Sequence, residues 1–386
     1  MKKKKVILII ALLLVLIAGA GIFLISRADY EQLSGWEREI YSAINRQKII
    51  DSRFIGKVSD ENWTPETVYR LEDTIVLQKE EGRDFRVMVI GDLHMSDYSE
   101  TYMNAVLANR NFYYIKRMAR ELKPDLIVLS GDIFCEDGNS NYHSIHRLTS
   151  YMDSLEIPWA AVLGDHEDLA NCDRNYVADV MMSGKYCVMK KGDPEMGVGN
   201  YVVNVCDKDG TLLHSLILMD THHWSTEGGN LWENQLEWYR WAVEGALQEA
   251  RKLVESTVIT HIPCAQYDYA YNEAWDTEKN TWKDGYEAFG YNGEDPCIER
   301  DASGAPVDNG FFALIKELGS TKNLICSHDH VNCASILYEG VRLTYSLRLG
   351  RGGYWDFSFK TDNNGATILS IHDDGTASVA HHWFYK

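Results

Sequence analysis

The stretch Phe85-Arg86-Val87-Met88-Val89-Ile90-Gly91-Asp92-Leu93-His94 is the first of three that share one grammar. A short, nearly unbroken apolar run that stops at a glycine reads as a buried strand. The aspartate and histidine after it then lie at the strand's carboxyl end. Residues 126–129 likewise run into Ser130-Gly131-Asp132, and residues 159–163 run into Gly164-Asp165-His166-Glu167. Helical patterns over residues 103–122, closed by Pro124-Asp125, and over residues 142–155 separate the three. Strands alternating with helices predict an α/β fold with a largely parallel sheet and helices on its faces.

Downstream, residues 201–205 and 212–219 read as a hairpin around 207–210, residues 234–254 as a helix, and residues 257–260 as a strand that meets His261. A helix over 311–318 and a strand over 323–326 lead to His328-Asp329-His330. The C-terminus reads as hairpins with turns at Asn364-Gly365 and Asp374-Gly375. Residues 267–309, with Trp275, Trp282, Tyr286, Phe289 and Tyr291, lack a regular period and read as a functional loop or cap that overhangs the strand ends. An insertion packed on itself is the alternative. There is no internal repeat and no low-complexity tract.

Asp92, His94, Asp132, Asp165, His166, His261, His328 and His330 all fall at or just past a strand end. In open α/β sheets the crevice outside the carboxyl ends of the strands is where ligands bind, so distant segments deliver these side chains to one place. Asp92 with His94, and His328 with His330, are i, i+2 pairs whose side chains share a face in extended chain. Alone, Asp92 or Asp132 would read as a helix N-cap, and His261 as an ordinary core or surface histidine. In this order they read as ligands for Zn, Fe, Mn or a similar divalent ion. His222 and His223 follow a strand end without a motif to claim them, and His381 and His382 read as surface or hairpin residues.

Among 386 residues, 45% are hydrophobic and 25% charged, which suits a folded globular chain. The formal charge of −19 includes the positive Lys2 to Lys5, so the remainder is more acidic still and repels polyanions. Nucleic acid is therefore not expected as a partner. After the four lysines an uncharged run spans residues 6–25, long enough at ~1.5 Å per residue to cross roughly 30 Å of hydrocarbon. It predicts a single-pass transmembrane signal-anchor in the cell membrane, lysines inside and the bulk outside. A cleaved signal peptide, giving a secreted protein, is the alternative. The expected organisation is a Lys tail and anchor (1–27), a juxtamembrane segment (28–83) and a catalytic domain (84–386). The eight cysteines (135, 172, 187, 206, 264, 297, 326, 333) form no C-x-x-C pair, so neither a zinc knuckle nor a disulfide scaffold is indicated.

The order Asp92-Leu93-His94, Gly131-Asp132, Gly164-Asp165-His166-Glu167, His261, His328-Asp329-His330 resembles the calcineurin-like metallophosphoesterase superfamily. Gly293-Glu294, Asn309-Gly310-Phe311-Phe312, His328 to Asn332 and Arg348 to Tyr354 further resemble its purple-acid-phosphatase-like branch. The resemblance covers about residues 85–354. It implies a four-layer α-β-β-α sandwich and two divalent metal ions (Fe, Mn or Zn). Asp92, His94 and His330 would hold the first ion, Asp132 would bridge, and Asp165, His261 and His328 would hold the second. His166 would sit beside the scissile phosphate, stabilising charge or protonating the leaving oxygen. The implied activity is hydrolysis of phosphate mono- or diesters. A non-catalytic metal-binding or interaction domain of the same fold, or a protein phosphatase, are the other readings.

Three positions depart from the family pattern. Asp165 stands where Asn is usual, Ser327 where the last block usually has Gly, and Cys135 where purple enzymes carry a Tyr ligand three residues after the bridging Asp. The coloured tyrosine–iron pair is therefore not expected.

Overall fold

Apolar runs too short for a buried helix form strands, and in a computed structural model they sort into two sheets. The structure describes residues 54–55, 63–95, 102–134, 142–167, 173–223, 231–291, 306–349 and 364–384. In chain order, β1 (Phe54–Ile55) and β2 (Ile75–Gln78) precede β3 (Phe85–Ile90), α1 (Tyr102–Leu122), β4 (Leu126–Ser130), α2 (Tyr142–Ser154), β5 (Trp159–Val162) and α3 (Arg174–Met182). β6 (Tyr201–Cys206) and β7 (Leu212–Leu218) form the expected hairpin, followed by α4 (Glu233–Ala250), β8 (Glu255–Ile259) and α5 (Gln266–Ala274). β9 (Trp275–Asp276), β10 (Thr281–Trp282), β11 (Ala288–Phe289), α6 (Phe311–Leu318), β12 (Thr321–Cys326), β13 (Ser335–Tyr338), β14 (Val341–Tyr345), β15 (Gly365–Ile371) and β16 (Ala377–Trp383) complete the described chain.

One sheet has the order β16-β15-β3-β4-β5, with β3, β4 and β5 parallel and β15 antiparallel to β3. The other has the order β1-β2-β6-β7-β8-β12-β14-β13-β11, parallel from β7 to β14 and between β2 and β6, and antiparallel at its remaining pairs. The architecture is thus mixed α/β, not the largely parallel sheet expected from the first half of the chain.

Alternation along the strands sets the layers. Leu216, Leu218, Ile259 and Ile325 share a core with β3, β4 and β5. Their neighbours Ile217, Val258, Leu324 and Cys326 share a second core with Trp238, Tyr239 and Val243 of α4 and Phe311 and Ile315 of α6. A strand that is apolar on both faces has to be covered on both. Side chains of α1, α2 and α3 (Ile115, Met118, Leu148, Met152, Val177) pack into the first core, so helices lie outside each sheet. Each fully buried Leu or Ile contributes roughly 1.5–3 kcal/mol to holding the two sheets together.

Two expectations change. Residues 75–78, expected in the juxtamembrane segment, are a strand of the second sheet, because Ile75–Gln78 pairs parallel with β6. Its run of three buried apolar residues is too short for local periodicity to separate strand from helix. Gly365 opens β15 and is not a hairpin turn, whereas Gly375, at φ 87°, does turn the chain between β15 and β16. Cys187, Cys206, Cys264, Cys326 and Cys333 are free thiols; the other three cysteines lie outside the described residues. No helix among the described residues is long and apolar enough to cross a membrane, and the expected anchor lies outside them.

Candidate metal centre

Parallel pairing brings strand ends together. β3, β4 and β5 lie in register in one sheet, β8 and β12 in the other, and the loops at their carboxyl ends interlock. The Asp92 amide donates to the Gly131 carbonyl (3.0 Å), the His94 amide to Asp132 (3.0 Å) and the Ser327 amide to His261 (3.0 Å). The loops are bent hard: Asp92, His94, Asp132 and His328 have φ of 54°, 42°, 48° and 75°. Left-handed backbone outside glycine costs about 1–3 kcal/mol per residue and gathers where a site demands it. The preceding glycines make the close approach possible. A Cβ on Gly131 would strike the His261 ring, and one on Gly164 would strike Asp132.

All seven expected ligand residues meet there. Polar atoms of Asp92, His94, Asp132 and His330 lie within 4.8 Å of one another, as do those of Asp132, Asp165, His261 and His328, so Asp132 belongs to both groups. His94 and His330 face each other through their Nε2 atoms at 2.9 Å. Asp132 Oδ2 lies 3.4 Å from His94 Nε2, and its Oδ1 lies 3.2 Å from His261 Nε2. Asp165 Oδ1 is 3.0 Å from His261 Nε2 and 3.1 Å from His328 Nδ1. His166 stands at the edge: its side chain is 25% exposed, with Nε2 3.9 Å from a carboxylate oxygen of both Asp132 and Asp165.

Burial dominates the electrostatics. It pushes the Asp92 carboxyl up to about 7 and the His94 imidazole down to about 4. Burial also opposes the charged forms of Asp132, Asp165 and His261, but the attraction of His261 for both carboxylates, with His328 beside Asp165, wins, holding both carboxyls low and raising the His261 imidazole. Among the described residues Asp92, Asp132 and Asp165 have only histidines as ion-pair partners. His261 Nδ1 lies 2.9 Å from the Ser130 carbonyl, which can only accept. Nε2 therefore points at two carboxylates and needs a cation, proton or metal, between them. Two Nε2 atoms meeting at 2.9 Å in the other half make the same demand. The donor set of carboxylates and imidazoles fits divalent Zn, Fe or Mn.

Several supporting residues were not assigned from sequence. The carboxylate of Glu167, wholly buried, accepts the amides of Asp132 (3.1 Å), Ile133 (2.6 Å) and Phe134 (3.0 Å), as well as that of Gly164. It ties the β4 loop to the β5 loop directly behind Asp132. The glutamate in Gly164-Asp165-His166-Glu167 was the available signal. Ser327 bonds Ser130 through the two hydroxyls at 2.5 Å, so its departure from glycine adds a cross-link between loops. His222 stacks on Trp232 (3.7 Å) and meets Gln235 Oε1 at 2.8 Å, which makes it a structural brace. His381 is not a plain surface residue: its ring nitrogens meet Thr367 Oγ1 (3.0 Å) and the Cys333 carbonyl (2.9 Å), bracing the loop that carries His330. Trp275 and Trp282 pack edge to face at 4.8 Å, and Trp282 and Tyr286 lie against the outer core, so this part of the aromatic segment packs on the fold. Residues 292–305, Cys135 and Gly350 to Tyr354 lie outside the described residues.

Comparison with known proteins agrees with this geometry. The family model described as calcineurin-like phosphoesterase matches residues 85–331. A relative from Arabidopsis thaliana named probable inactive purple acid phosphatase 14 is 25% identical over 71% of this chain and 72% of its own length. The Saccharomyces cerevisiae protein named phosphatase DCR2 is 24% identical over 72% of this chain and 49% of its own length. A solved dimetal phosphatase from Danio rerio shares the fold with a TM-score of 0.50 at 12% identity, covering 78% of this chain and 96% of that one. With its strand-end motifs in order and the match spanning most of the described sheets, the chain belongs to the calcineurin-like phosphoesterase family, in its purple-acid-phosphatase-like branch.

Proposed function

We propose that the protein is a hydrolase of phosphate mono- or diesters that works with two divalent cations, of Fe, Mn or Zn, and is anchored at the cell membrane facing outward. The observation that carries the reading is the pair of four-residue groups joined by Asp132. Asp92, His94 and His330 would hold one cation, Asp165, His261 and His328 the other, and Asp132 would touch both. Two such cations supply Lewis-acid polarisation of a phosphoryl oxygen and an acidified water. The protein's own part is to fix the donors. Bent backbone at Asp92, Asp132 and His328, and the Glu167 carboxylate behind Asp132, hold them without reorganisation. His166, at the open edge and 3.9 Å from the nearest carboxylates, keeps Nε2 available to give a proton to a leaving oxygen. Water attacks phosphorus, the ester oxygen leaves, and that oxygen takes the proton.

The outward location rests on Lys2 to Lys5 and the uncharged run behind them. Shaving intact cells with protease should remove the domain, and full protection of the domain would overturn this part.

A second reading has specific support: the Arabidopsis relatives at 25% and 22% identity are named probable inactive. On that reading the chain binds metal without turnover. Metal analysis of the full-length chain together with hydrolysis of p-nitrophenyl phosphate and bis(p-nitrophenyl) phosphate decides. Two cations per chain with turnover that His166→Ala abolishes supports the enzyme. Two cations and no hydrolysis with Mn, Zn or Fe leaves the binding protein.

A further inference from the structure

Asp165 and His166 sit on a turn whose entry is gripped from outside the ligand groups. Arg174, the first residue of α3, donates through Nη1 to the Gly164 carbonyl at 2.5 Å and through Nη2 to Asp220 Oδ1 at 2.5 Å. Asp220 is fully buried and is itself tied down. Oδ1 also accepts the His222 amide (2.9 Å), Oδ2 accepts the Val198 amide (2.8 Å), and the Asp220 amide donates to Asn200 Oδ1 (3.1 Å). Asn200 Oδ1 in turn accepts from Gln235 of α4 (2.8 Å). The carboxylate that orients the guanidinium is therefore part of the second sheet's frame, while the guanidinium reaches across to the first sheet's loop.

Gly164 is held at both of its backbone polar groups, its amide by Glu167 and its carbonyl by Arg174. Fixing that carbonyl fixes the planar peptide that leads into Asp165. The Arg174 Nε has no hydrogen-bond partner among the described residues, so the two terminal nitrogens carry the placement. A rigid planar fork can serve two acceptors in set directions, which a lysine ammonium on a flexible stem does less well.

We propose that Arg174, oriented by Asp220, is a positioning residue for the second half of the metal centre. By holding the Gly164–Asp165 peptide it sets Asp165 toward the second cation and His166 toward the leaving oxygen, and it leaves the Asp92, His94, His330 half alone. The proposal rests on the two-cation reading above.

The test is Mn2+ titration of the full-length chain by calorimetry, with thermal melts and p-nitrophenyl phosphate kinetics alongside. Arg174→Met should bind the first Mn2+ within about twofold of the wild type and the second about 10–100-fold more weakly, the usual range for residues that orient ligands. At saturating Mn2+ kcat should fall while KM stays within about threefold, the sign of geometry lost in the transition state. Asp220→Asn should move the second affinity in the same direction by less. If Arg174→Met does not fold, Arg174→Lys carries the test and should weaken the second site alone. Two unweakened sites in the variant overturn the proposal, as do two sites weakened together with a lowered melt. A wild type that takes up fewer than two cations whether Mn, Zn or Fe is offered fails earlier, sinking the two-cation reading and this proposal with it.

Discussion

Asp92, His94 and His330 on one side of Asp132, and Asp165, His261 and His328 on the other, are each one carboxylate and two imidazoles, yet they are wired differently. In the first half the imidazoles face each other at 2.9 Å, and Asp92 lies 3.7 Å from His330 and accepts the His328 amide at 3.1 Å. In the second half both imidazoles bond Asp165, at 3.0 and 3.1 Å. Burial lowers the pKa of both imidazoles of the first pair, whose Nε2 atoms meet at 2.9 Å. Burial acts on His261 too, but Asp132 and Asp165 overcome it. A cation entering the first half competes with a proton for the Asp92 carboxyl, pushed up to about 7 by burial, and one entering the second competes with a proton for the raised His261 imidazole. Asp132 first, and then Asp165, the residue that departs from the family's usual Asn, raise that imidazole.

The comparison is broken most severely at the residue the halves share. Asp132→Asn keeps the shape and removes the common charge, so both cations should bind weakly and turnover should fall by about 10³-fold or more, as removal of a central electrostatic group does. Metal content and ester hydrolysis measured on the same sample check this, and loss of only one cation would show that Asp132 does not serve both halves. His166→Ala comes next: turnover should drop about 10²–10⁴-fold, the span for a lost general acid, with both cations retained. A parallel loss of metal would make His166 a ligand instead. Asp165→Asn should be milder and one-sided. Removing a full negative charge beside a dication outweighs the proton no longer displaced, so the second affinity should fall roughly tenfold while the first holds. Equal weakening of both would show that the halves are not separable.

The metal-bearing part of the fold was legible because its signals are local. An apolar run, a glycine and an aspartate are contiguous at Gly91-Asp92, Gly131-Asp132 and Gly164-Asp165, and strand burial plus close approach at the glycine explain the order. What stayed hidden depends on partners far apart in sequence. β2 joins the sheet by pairing with β6, more than a hundred residues on, and nothing in residues 75–78 names that partner. Arg174 and Asp220 are 46 residues apart, and each alone reads as an ordinary surface charge. His381 reads in sequence as a surface or hairpin residue, and only the position of β16 beside Cys333 makes it a brace. Glu167 was visible as a letter in a motif, but its role needs four backbone amides from two loops.

The smallest effect supplies the baseline for separating the halves by pH. His214 on β7 is fully buried, far from the ligand residues in sequence, with Nδ1 2.9 Å from the Gly375 carbonyl and Nε2 3.0 Å from Thr257 Oγ1. Burial lowers its pKa to about 4, below the value near 6.5 of an unfolded histidine. Between those values the unfolded chain binds more protons than the folded one, so stability falls as pH drops from about 6.5 toward 4, by up to about 3 kcal/mol. Above about 6.5 this group contributes no pH dependence. His214→Gln, which keeps a donor and an acceptor, should flatten the acid limb of a denaturation series run with chelator present. If the limb is unchanged, His214 is not the group that titrates. With that baseline subtracted, acid loss seen only in cation-loaded protein belongs to the metal centre, where a proton competes with the cation for Asp92 in the first half and for His261 in the second.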